Sequence, residues 1–156
     1  MNRFLLTFTA SIISLTILTP VSAEPTSLMG SLNQSGNEIT VQVRTKKFVK
    51  ETHTIHKLKN GAYIIDSMRP IGTSALPNTE IAEFKIIWNG KPVTFPKKLY
   101  ADCYDIGMEG LTTELSKDGN KAILLMRGSD GAYAYDVIWI FDKENVLDRF
   151  VIENAD

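Results

Sequence analysis

Two histidines, several closely spaced carboxylates and one cysteine are the residues of this chain that could do chemistry. His53 and His56 stand three apart, a spacing that lets two imidazoles share a metal ion on a helix but turns them to opposite faces of a strand. Thr54 and Ile55 between them, with a hairpin signal just beyond, favour the strand, so no metal site is expected. Asp102 and Asp105, with Glu109 beyond, could bind a hard cation or supply a pair of carboxylates for acid–base work. They lack the ligand spacing of a calcium loop. Gly128-Ser129-Asp130-Gly131 looks superficially like a serine nucleophile, yet it departs from Gly-x-Ser-x-Gly and falls between two strands, where that motif needs a strand-to-helix turn. Phosphate-cradling glycine loops and paired-cysteine sites are also absent from the sequence. No catalytic, cofactor-binding or metal-ligating residue is therefore assigned, no cofactor is implied, and the chain reads as a non-enzyme.

Cys103 is the only cysteine, which precludes an internal disulfide. The segment after Pro96 places Leu99 over Cys103 and Tyr100 over Tyr104 at i, i+4 spacing, predicting one short helix near 97–105 with the thiol on its apolar side. Burial of Cys103 is expected to outweigh reactivity or an intermolecular disulfide.

The elements that must position these residues read mainly as β. Period-2 or β-favouring runs occupy 38–44, 52–58, 62–68, 81–88, 91–95, 110–116, 121–127, 133–141 and 146–152. Asn60-Gly61 and Asn89-Gly90 supply hairpin turns, and only the second has the tight two-residue form. The run 133–141 is apolar on both faces, as in a central strand covered on both sides, while the charged 146–152 run suits an edge. An antiparallel meander forming a sandwich or half-barrel follows, with α+β as the fallback if 97–105 or the leader is more helical.

Residues 1–23 have the layout of a signal peptide: Arg3, an apolar stretch from Phe4 to Leu18, then Pro20 and Val21-Ser22-Ala23. An uncleaved anchor is the alternative, but Thr7, Thr9, Ser11, Ser14 and Thr16 dilute the apolar stretch, and membrane contact is expected only through such an uncleaved segment. Cleavage near Ala23 removes 23 of 156 residues and exports the remainder to the periplasm or outside, the single Arg3 favouring the periplasm. Residues 24–37 read as a flexible leader and 38–156 as a single β-rich domain.

The net charge of -1 leaves no basic excess for nucleic acid. It conceals two blocks: 38–98 carries eleven Lys or Arg against five Asp or Glu, and 99–156 carries five against twelve. Arg44, Lys46, Lys47, Lys50, Lys57 and Lys59 form the densest basic stretch, readable as a patch for an anionic surface or as an ordinary solvated face.

A resemblance runs through Ile71-Gly72-Thr73, Leu76-Pro77-Asn78-Thr79-Glu80-Ile81, Phe84, Trp88-Asn89-Gly90-Lys91, Phe95-Pro96-Lys97-Lys98-Leu99-Tyr100-Ala101-Asp102 and Gly128-Ser129-Asp130-Gly131-Ala132-Tyr133. In these short motifs the chain resembles a group of small exported bacterial proteins of unknown function. The resemblance implies a secreted β-rich domain and transfers no catalytic residue. Cys103 and the basic segment lie outside its pattern. The expected function is non-enzymatic binding of a protein or envelope component. Two alternatives are a small periplasmic hydrolase using Asp102 and Asp105 with a histidine, and an envelope structural protein that self-associates through its edge strands.

Overall fold

The computed structural model describes residues 27–73, 75–128 and 134–153. The expected signal peptide lies outside them, as does the Ser129-Asp130-Gly131 part of the serine-like motif. Among these described residues ten strands follow one another: β1 (Ser27–Gln34), β2 (Asn37–Lys47), β3 (Ile55–Lys57), β4 (Tyr63–Ile65), β5 (Thr79–Trp88), β6 (Lys91–Pro92), β7 (Ile106–Leu115), β8 (Ala122–Gly128), β9 (Tyr135–Phe141) and β10 (Val146–Glu153). They form a four-stranded sheet in the order β1-β2-β5-β6, a second in the order β10-β9-β8-β7, and the small β3-β4 hairpin. All strand pairs are antiparallel and the sheets do not close into a barrel.

Alternation builds the core. Ile39, Val41 and Val43 of β2, with Phe84, Ile86 and Trp88 of β5, face Leu124 and Met126 of β8 and Val137, Trp139 and Phe141 of β9, all buried in one cluster. Trp88 and Trp139 find acceptors for their indole N–H groups in Asn37 Oδ1 (2.9 Å) and the Leu99 carbonyl (3.0 Å), so neither ring is buried at the expense of an unpaired donor. The tight hairpin expected at Asn89-Gly90 joins β5 to β6, with both residues at positive φ.

Three expectations need correction. Residues 27–34, read as leader, form β1, which pairs along its whole length with β2 through a two-residue Ser35-Gly36 turn at positive φ. Residues 91–95 shorten to the two residues of β6, because Thr94 departs to pair with the turn before β10. The helix near 97–105 is a single 3-10 turn, Lys97–Leu99. Its continuation is stopped where the Tyr100 ring packs against Phe84 and Phe95, and Asp105 adopts φ 47°. Cys103 is nonetheless buried, held in a parallel bridge with Ile71.

Candidate functional site

His53, Asp102, Asp105 and Cys103 are each engaged by their neighbours. His53 follows a 3-10 turn, Lys50–Thr52, and its side chain is only 10% exposed. Its Nδ1 lies 2.7 Å from Asp66 Oδ2, and its Nε2 lies 3.3 Å from Glu80 Oε2. A neutral imidazole has one N–H, so only the protonated ring donates to both carboxylates. Phe48 stacks on the ring at 4.6 Å, and Lys46 Nζ reaches Glu80 Oε1 at 3.1 Å. The His53 bond, with the Thr54 N–H, holds the Asp66 carboxyl below its ordinary range. Burial pushes the nearby Tyr104 phenol up to about 12, and the charges of Asp66 and Glu80 add to the shift. Both ring nitrogens of His53 are thus taken by protein carboxylates, and the cluster fastens the 48–54 segment to β5 and to the turn after β4.

His56 lies on β3 opposite Ile64, exposed and apart from His53. Asp102 receives Arg149 Nη2 on both oxygens, at 2.8 and 2.9 Å. Asp105 accepts from the Asn78 and Thr79 N–H groups at 2.9 and 2.8 Å. Neither carboxylate meets a histidine; the partners of His53 are Asp66 and Glu80, 13 and 27 residues away in sequence. Glu109 has no described side chain. Burial raises the Cys103 thiol far above its ordinary range, which removes the nucleophilic thiolate. Among the described residues no group of three or more His, Cys, Asp or Glu is placed to hold a metal ion. No helix among them is long and apolar enough to cross a membrane.

The charge blocks follow the chain rather than the layers. Residues 38–98 are shared between the first sheet and the β3-β4 hairpin, and Lys50, Lys57, Lys59, Arg69, Lys97 and Lys98 lie outside the first sheet's strands, while residues 99–156 supply β7 through β10. Within the basic stretch, Arg44 and Lys46 pair with Glu83 and Glu80, and Lys57 sits over the Tyr63 ring. Lys47 and Lys50 flank Phe48, Val49 and Leu76 along an open groove of about 370 Å³.

The surface that burial leaves unexplained is on the other layer. Cross-strand register aligns three rows on the outer face of the second sheet: Glu114, Ile123, Ile140 and Asp148; Thr112, Leu125, Ile138 and Phe150; Arg127, Asp136 and Ile152. Six of these eleven side chains are large and apolar. Ile123 is 41% exposed, Phe150 48% and Ile152 53%, while Leu125, Ile138 and Ile140 are only partly covered by them. No described element packs over this face. The double-sided apolar pattern of 133–141 does mark a central strand, but only its inner face is covered. Arg127 and Asp136 pair across one end at 2.9 Å, and Glu114 and Asp148 rim the other. A contiguous apolar face with a charged rim is the composition of an interaction surface.

Comparison with family models, with curated proteins and with solved structures finds no match to this chain.

Proposed function

We propose that this chain is an exported, non-enzymatic binding domain whose binding surface is the outer apolar face of the β7–β10 sheet. The exposure of Ile123, Phe150 and Ile152 beside Leu125, Ile138 and Ile140 carries the reading. Exposed contiguous apolar surface is unfavourable in water by about 25 cal/mol per Å² relative to burial, so a partner that covers it gains that free energy. Acidic residues along one rim favour a protein partner with an apolar centre and basic flanks. Export rests on Arg3, the Phe4 to Leu18 stretch and the Val21-Ser22-Ala23 tripeptide. Engagement of His53, Asp102 and Asp105 by other protein groups also supports binding over hydrolysis.

Photo-crosslinking tests the reading, with a probe placed at Ile123 or at Phe150 and an envelope extract as the source of partners. A single protein crosslinked saturably from both positions is expected, and Leu125→Lys should abolish capture while the circular dichroism spectrum stays unchanged. Equal capture by the wild type and by Leu125→Lys would contradict the assignment of the surface.

A further inference from the structure

Edge strands of soluble proteins are blunted by shortness, charge, bulges or cover, because their unpaired N–H and C=O groups template new strand pairs. β6 is two residues long, and β1 and β7 lie against each other. β10 is different. Thr94 occupies the start of its edge, accepting from the Val146 N–H at 3.3 Å and donating to the Glu144 carbonyl at 2.7 Å. A register shift between Val146 and Asp148 follows. From there residues 148–153 run as an unbroken ladder with β9, and on the far side no described strand pairs with them. This stretch also holds Phe150, Val151 and Ile152, three of the eight large apolar residues that are exposed among the described residues.

We infer that the occupant of this edge is the same strand of a second copy, joined antiparallel about a two-fold axis normal to the sheet. Such an axis keeps inner side chains opposite inner ones and outer opposite outer, so a residue on the axis faces its own copy. In β10 the partners Trp139, Val137 and Tyr135 place Arg149, Val151 and Glu153 on the inner side, while Asp148, Phe150 and Ile152 are outer. Putting Phe150 on the axis would set Asp148 against the partner subunit's Ile152 and leave the charges unmatched. With Val151 on the axis, Phe150 faces the partner subunit's Ile152, and Arg149 and Glu153, which within their own chain pair with Asp102 (2.8 Å) and Arg69 (3.1 Å), come opposite the partner subunit's Glu153 and the partner subunit's Arg149. Each of these contacts occurs twice by symmetry. That register sets apolar against apolar and brings the two existing ion pairs together with opposite charges adjacent, over the part of the edge that Thr94 leaves open. Pairing would merge four strands from each copy into one sheet and make the outer apolar face continuous across the dimer. The inference therefore extends the binding surface proposed above, but its test is independent of any heterologous partner.

Sedimentation velocity of the purified chain from micromolar to millimolar concentration tests the inference, combined with bismaleimide crosslinking of Val151→Cys. The native thiol, Cys103, is buried and does not compete. A reversible monomer–dimer equilibrium is expected, with efficient crosslinking of Val151→Cys and none of Ile123→Cys, which lies on β8 away from the axis. Glu153→Arg sets like charges opposite each other at both symmetric contacts and should weaken the dimer at least about tenfold. Monomers throughout, with no crosslink at Val151→Cys, would overturn the inference and leave the outer-face reading to its own capture experiment. A dimer that crosslinks through Ile123→Cys instead would overturn it as well, because the sheets would then be packed face to face.

Discussion

At one margin of the sandwich β1 lies against β7, so closely that a Cβ at Gly30 would stand 3.5 Å from Leu111 Cβ. At the other margin β10 is held at its start by backbone bonds to Thr94 and farther along by the ion pairs Arg149–Asp102 and Glu153–Arg69, and among the described residues no strand pairs with its far edge. At the sealed margin position 30 stands within van der Waals contact of Leu111, and the largely polar strand Ser27–Gln34 closes the first sheet. The open margin carries Phe150, Val151 and Ile152, which contribute little to the interior they border. The two margins thus differ in the kind of surface they present: at one, two edge strands lie against each other, and at the other the edge has no described strand beside it.

The inner and outer sides of the open sheet give the largest contrast. Trp139 is fully buried, packs against Phe84 and Phe95, and donates its indole N–H to Leu99; Trp139→Ala should cost about 3–5 kcal/mol in urea unfolding. Gly128, at the end of β8, is next. A Cβ there would overlap the Tyr135 ring, whose hydroxyl donates to the Tyr104 carbonyl at 2.8 Å, so Gly128→Ala should cost about 1–3 kcal/mol. Leu111→Ala at the sealed margin removes a partly buried side chain packed on the core and should cost about 1–2 kcal/mol. By contrast Ile152→Thr, at the open margin, should change the stability of dilute protein by no more than about 0.5 kcal/mol. A loss comparable to Leu111→Ala would erase the distinction between the margins.

The smallest effect concerns pH and the His53 cluster, which belongs to neither margin. Because the Asp66 carboxyl is held below its ordinary value of 3.8 in the folded protein, its contribution is complete above that value and is lost as pH falls through the lowered one. Asp66→Asn should therefore flatten the acid limb of the stability–pH curve below the ordinary carboxyl value of 3.8, leaving the neutral region with a constant offset. An unchanged acid limb would show that the His53 bond is not formed in solution.

Much of the sheet structure was legible in the sequence because its signals are local. Alternation in 38–44 and in the four C-terminal runs fixes strands, and Asn89-Gly90 fixes a hairpin. The β1 strand was not legible: Ser27, Ser31, Asn33 and Gln34 suit an edge as well as a leader, and the Ser35-Gly36 turn is a weaker signal than Asn-Gly. The 97–105 segment showed helical spacing, but the Phe84–Phe95–Tyr100 packing that limits it to one turn is a tertiary contact. Similarly, His53 meets Asp66 just after β4 and Glu80 on β5, 13 and 27 residues away, and no local pattern links them. The outer apolar face was half visible. Alternation identified 133–141 as apolar on both sides, and only the layer order reveals which side lacks cover.

Hydrogen–deuterium exchange at two protein concentrations puts the difference between the margins to the most direct test. Amides of β7 and β1 should exchange at concentration-independent rates, whereas those of residues 149–153 that point away from β9 should exchange quickly in dilute solution and become protected as concentration rises. Rates for residues 149–153 that are slow and identical at both concentrations would contradict an open edge that pairs with a second copy.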